Sequence, residues 1–232
     1  MKYEIKGTPL PVVELTLDRD ERVISESGAM CYMTNNMKMQ TTTNGGIKKI
    51  FSRMFSGEKL FQCIYTAEGR EGKISFASSF PGDIHALEVN SQKEYIVQKS
   101  CFLCGSEGIN LSINFQKKIG TGLFGGEGFI MQNITGNGTA FIEIDGSPIE
   151  INLNSGEQIL INTGHLVMME KTCTMDIQKV GGFKNTFFGG QGIFNTVVTG
   201  PGRVILQTMP ISKMADTLYP YLPIPVQNYS NE

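Results

Sequence analysis

Phe124-Gly-Gly-Glu-Gly-Phe-Ile-Met-Gln-Asn-Ile-Thr135-Gly-Asn-Gly138 recurs twice more in diverged form. The other copies are Phe55-Ser-Gly-Glu-Lys-Leu-Phe-Gln-Cys-Ile-Tyr-Thr66-Ala-Glu-Gly69 and Phe188-Gly-Gly-Gln-Gly-Ile-Phe-Asn-Thr-Val-Val-Thr199-Gly-Pro-Gly202, and all three align without a gap. Gly57, Gly126 and Gly190 coincide, as do Thr66, Thr135 and Thr199. Upstream of each copy lies a strand-like segment: Glu21 to Ser27, Glu94 to Ser100 and Glu157 to Thr163. A period of about 65 residues is a subdomain rather than a solenoid turn.

Outside these blocks the texture stays β. Thr139-Ala-Phe-Ile-Glu-Ile-Asp and Arg203-Val-Ile-Leu-Gln-Thr are short runs rich in β-branched and aromatic residues. Gly136-Asn137-Gly138, Gly200-Pro201-Gly202, Asp145-Gly146 and Ser155-Gly156 supply tight turns between them. Two segments read as helix. Gly46 to Phe55 places Ile47, Ile50, Phe51 and Met54 on one face and Lys48, Lys49 and Arg53 elsewhere. Ile211 to Tyr219 places Ile211, Ala215 and Leu218 on one face before Pro220, Pro223 and Pro225.

The expected fold is therefore all-β. Three β-sandwich or double-stranded β-helix-like units pack around a pseudo-threefold axis, with one or two short helices. The boundaries are 1–92 for the first unit, with its helix near 46–55, then 93–155 and 156–209, with 210–232 forming a C-terminal helix and tail. Units this small bury too little surface to stand alone, which favours packing within one domain.

Composition narrows the function classes. Charged residues are 18% of the chain and the net charge is −2, so the basic footprint that DNA binding requires is missing and RNA is disfavoured. The segment from Met1 to Gly7 alternates polar and apolar residues and lacks the apolar core of a secretory signal, and the longest apolar runs are far too short to span a bilayer. Five scattered cysteines fit a reducing compartment better than a disulfide framework, so a cytoplasmic location is expected.

The candidate polar set is Glu58, Glu127 and Gln191, which follow the shared glycines and would form a ring around a threefold axis. Such a ring could bind a cation, but Gln191 replaces the third acid, and acceptance of hydrogen bonds from the adjacent glycine turns is the favoured role. Lys118, Gly125 and Gly126 belong to a Gly120-Thr-Gly-Leu-Phe-Gly125 stretch that matches G-x-G-x-x-G. The segment after it reads as strand, not as the helix a dinucleotide site needs, so only an anion held by loop amides remains as an alternative to close backbone packing. Cys101 and Cys104 match C-x-x-C but lie in a strand-like run without a second ligand pair, which favours core packing. His85 and His165 are not at equivalent positions, since His165 aligns with Phe102. No catalytic residue, metal or cofactor is nominated, and enzyme activity is not expected.

Gly122 to Ile142 resembles the signature of the family named altered inheritance of mitochondria protein twenty-four. Pro81-Gly82-Asp83-Ile84 with Glu94 to Lys99, and Arg53 to Glu58, resemble two further signatures, and the similarity runs from about Glu21 to Tyr221. The resemblance is to a bacterial-type member. It implies an all-β fold of three similar units, like that of the tryptophan RNA-binding attenuation protein, and brings no catalytic residues with it. In the fungal mitochondrial member it implies a link to inner-membrane organisation.

The function expected from these residues is that of a non-enzymatic scaffold or interaction protein, acting through an unknown protein partner or through self-association as a homo-oligomer. The alternative is a small-molecule or ion-binding protein using clefts between the units. RNA binding by analogy of fold is the weakest reading.

Overall fold

Strict alternation drives strand formation. In β2 (Val12–Leu17), Val13, Leu15 and Leu17 are fully buried while Val12, Glu14 and Thr16 face outward. The computed structural model describes residues 1–41, 62–117, 128–179 and 194–222. The segment 46–55, expected to be helical, lies outside the described residues.

After β1 (Lys2–Lys6) and β2, the chain runs through β3 (Arg22–Glu26), β4 (Met30–Met33), β5 (Met37–Thr41), β6 (Gln62–Ala67) and β7 (Gly72–Ala77). It continues with β8 (Gly82–Val89), β9 (Tyr95–Gln98), β10 (Phe102–Ser106), β11 (Ile109–Lys117), β12 (Phe129–Gly136) and β13 (Gly138–Asp145). Last come β14 (Pro148–Leu153), β15 (Gln158–Asn162), β16 (Leu166–Glu170), β17 (Thr174–Lys179), β18 (Phe194–Thr199) and β19 (Gly202–Gln207), followed by the helix α1 (Ile211–Leu218). That helix falls where the apolar periodicity places it.

One pairing scheme occurs three times among these strands. β6 lies between β3 and β5, while β7 lies between β2 and β4. In the same way β12 lies between β9 and β11, with β13 between β8 and β10. The third set places β18 between β15 and β17, and β19 between β14 and β16. Pairing thus joins β8 and β14 to the sets that follow them, upstream of residues 93 and 156.

Neighbouring sets are stitched by strand pairing. β3 pairs with β10, and β9 pairs with β16, producing two six-stranded sheets that each cross from one set to the next. A four-stranded sheet ending in β4 and a three-stranded sheet ending in β15 complete the order. Among the described strands, two of the three junctions that a closed threefold arrangement requires are made.

Each set holds apolar side chains between two sheets. Leu15, Ile74 and Phe76 of the four-stranded sheet meet Val23, Tyr65 and Ala67 of a six-stranded one. Tyr65 and Phe76 touch edge to face at 5.7 Å between ring centres. A middle cluster around Phe102, Ile134 and Ile142 includes Ile24 of the first set and Met168 of the third, so the junctions are part of the core.

Register corrects two sequence alignments. Met30, Phe102 and Leu166 face Phe76, Ile142 and Leu206, each just before a bulge at the same place. The counterpart of Phe102 is therefore Leu166, not His165. Counting back along β7, β13 and β19 matches Gly138 and Gly202 with Gly72 rather than Gly69, because the first turn holds extra residues. The chain needs glycine there: a Cβ on Gly138 would stand 1.9 Å from Ser106 Oγ, at φ +150°.

Candidate functional site

Where the strand ends of the three sets converge, a cavity of about 810 Å³ opens. The first set contributes the turn from Glu26 to Cys31 and the segment Ala77 to Ser79. The second contributes Gln98 to Ser100, Phe102, Leu103, Ile130 and the carboxylates of Glu143 and Asp145. Gly164, Gln207 and the start of α1, with Ile211 and Ala215, complete the wall.

Its acids are held by defined donors. Glu143 sits in the otherwise apolar run of β13 and is 8% exposed. Its Oε2 accepts from the Ser79 amide at 2.6 Å, from Ser79 Oγ at 2.9 Å and from Ser78 Oγ at 3.0 Å. These donors come from the turn after β7, so the carboxylate also clamps the first set to the second. Asp145 Oδ2 accepts from the Ile211 amide at 2.9 Å and thereby anchors α1. Burial pushes the Asp145 carboxyl up to about 6; the Ile211 hydrogen bond opposes this shift and the charge of Glu143 adds to it.

Glutamines finish the polar frame. Gln207 Oε1 accepts from the Asp145 amide at 3.0 Å, and its Nε2 donates to the Gly164 carbonyl at 2.9 Å. His165 Nδ1 lies 2.6 Å from the Gln207 carbonyl, which places this histidine in the frame. Gln98 lines the cavity, is 7% exposed, and its carbonyl oxygen is without a protein partner among the described residues. A buried acceptor left in this state is costly unless something donates to it.

Glu58, Glu127, Gln191, Lys118, Gly125 and Gly126 all lie outside the described residues. Gly128, the residue after Glu127, lines the cavity. Cys101 and Cys104 are both buried, Cys101 in the middle cluster and Cys104 in the first, and burial pushes both thiols well up. Sequence reasoning passed over Gln98, Glu143 and Asp145. The signal was a glutamate inside the apolar run Ala140 to Ile144, where a charge needs buried donors.

No helix among the described residues is long and apolar enough to cross a membrane. The model of the family described as mitochondrial biogenesis AIM24 matches residues 3–209. An uncharacterized protein of Streptococcus pyogenes serotype M6 is 32% identical over 96% of this chain and 92% of its own length. The X-ray crystal structure of a Streptococcus pyogenes protein superposes with a TM-score of 0.79 at 28% identity, covering 95% of this chain and 99% of that one.

Proposed function

The chain belongs to the mitochondrial biogenesis AIM24 family, and from that premise we propose that it acts without catalysis, as a binding module whose cavity takes a small, largely apolar molecule. The cavity carries this reading: about 810 Å³ is the size of small-molecule sites, and most of its wall is apolar. Met30, Phe102, Leu103, Ile130 and Ile211 supply the apolar contact. Glu143 and Asp145 disfavour an anion, so the ligand is neutral or basic. We place its action in the cytoplasm, a reading supported by five free thiols.

The test uses the neutral, polarity-sensitive dye Nile red. Saturable binding with a blue-shifted emission is expected, at one site per chain, and Ala29→Trp should abolish it by filling the cavity, with a native circular dichroism spectrum and one cooperative unfolding transition showing that the variant is folded. Binding unchanged by Ala29→Trp, or no saturable binding, overturns the reading. A second reading, the interaction scaffold, is favoured by two sheet edges that end in exposed apolar residues. RNA stays the weakest, since a net charge of −2 offers little phosphate neutralisation.

A further inference from the structure

The two internal junctions share one register. Ser25, Ile24 and Val23 of β3 face Cys104, Gly105 and Ser106 of β10. Val97, Ile96 and Tyr95 of β9 face Met168, Met169 and Glu170 of β16. By pairing with β6, β12 and β18, the residue equivalent to Ile24 and Ile96 is Leu160 on β15. By pairing with β7, β13 and β19, the residue equivalent to Cys104 and Met168 is Tyr32 on β4. β4 and β15 are thus the two halves of a third junction, and each ends its sheet unpaired among the described strands.

Burial separates the made junctions from the unmade one. Ile24 and Ile96 are each 5% exposed, whereas Leu160 is 63% exposed. Cys104 and Met168 are fully buried, whereas Tyr32 is 46% exposed. The polar pair that flanks each junction is also matched. Arg22 donates to Glu107 at 2.9 Å beside β3·β10, and Lys171 donates to Glu94, with signs reversed, beside β9·β16. The equivalent positions at the open edges are Gln158 and Asn35, two neutral amides that suit each other and match none of the charged edges.

We propose that β4 of one chain pairs antiparallel with β15 of a second copy, with Tyr32 facing Ile161, Met33 facing Leu160 and Thr34 facing Ile159. The contact joins the four-stranded sheet of one chain to the three-stranded sheet of the next and is head-to-tail, so copies add until a ring closes or a filament grows. It stands apart from the cavity reading and does not require a ligand. Cys31 occupies the position of Leu103 and Val167, which are buried at the made junctions, so the same contact covers its thiol.

Sedimentation velocity of the full chain over a range of concentrations tests this. The wild type is expected as species of two or more chains, and Met33→Asp and Leu160→Asp are each expected as monomers. Mixing the two variants should give a dimer and nothing larger, because the mixture retains one intact β15 in the first and one intact β4 in the second; recovery of that dimer also shows that both are folded. The Cys31 thiol should react at least about tenfold faster in Leu160→Asp than in the assembled wild type. A wild type monomeric at every concentration, variants that stay assembled, or a mixture without the dimer overturns the proposal.

Discussion

Arg22 Nη1 donates to Glu107 Oε1 at 2.9 Å across the β3·β10 junction, and the equivalent pair at β9·β16 has its charges exchanged, with Lys171 donating to Glu94. Both Arg22 and Glu107 are half-exposed, so the pair contributes little energy on its own. The alternation of sign acts on choice of partner, since β3 facing β16 would set Arg22 against Lys171. Arg22→Glu is expected to lower stability by about 0.5–1 kcal/mol, and the double exchange Arg22→Glu with Glu107→Arg should recover it. Urea unfolding of the three variants checks this, and equal losses in the single and double variants would remove the pair from the account.

Phe76 and Tyr65 hold the two sheets of the first set together at 5.7 Å between rings, and Phe76 is fully buried. Phe76→Ala removes apolar contact from both sheets at once. A loss of about 3–5 kcal/mol is expected by chemical denaturation, against less than about 1.5 kcal/mol for Phe76→Leu if the site repacks.

Gly138 opens β13 against the turn between β10 and β11, and its hydrogen faces Ser106 Oγ. Gly138→Ala meets both the positive φ and the hydroxyl, and is expected to destabilise by more than about 1 kcal/mol. Gly156→Ala is a control for the φ contribution alone, because its φ is +77° and nothing stands within 4 Å of the added carbon. A smaller effect at Gly138 than at Gly156 would contradict the close approach.

Asp145 gives stability a pH dependence of defined sign. Its folded value of about 6 lies above the unfolded carboxyl value of about 3.9, so the folded chain keeps a proton that the unfolded chain has lost. This group's contribution therefore falls as pH rises from about 4 to about 6 and is flat above that. Asp145→Asn is expected to flatten that segment of a plot of unfolding midpoint against pH, since an amide oxygen still accepts from Ile211 but no longer titrates. An unchanged slope would assign it elsewhere.

Cys63, Cys101, Cys104 and Cys173 are buried, and burial raises the thiols of the last three. These four should stay unreactive to a thiol reagent in the folded chain, and all five cysteines should react in denaturant. Fast native modification of Cys101 or Cys104, followed by peptide mapping, would revive the redox reading of the C-x-x-C stretch.

Local features were legible in the residues. The strand-like run Thr139 to Asp145, the turn at Gly136 to Gly138 and the apolar face of Ile211, Ala215 and Leu218 each depend on neighbours a few positions away. The all-β class was also legible, because short β-branched runs recur between turn residues along the chain. Exact register was not. Extra residues in the first turn slid Gly69 into the place of Gly72, and the bulges beside Met30, Phe102 and Leu166 have no local mark. The cavity stayed hidden because Glu26, Gln98, Glu143 and Ile211 meet only after long-range pairing is complete.

By itself, the sequence determined that this is a β-rich chain with a short amphipathic helix from Ile211 to Leu218, since those properties follow from side-chain periodicity and turn chemistry. Which unit pairs with which, and where the pairing stops, was decided by the tertiary structure. Ile24, Ile96 and Leu160 look alike in the sequence, and only the presence or absence of a strand across from them makes two of them core and leaves the third on an open edge.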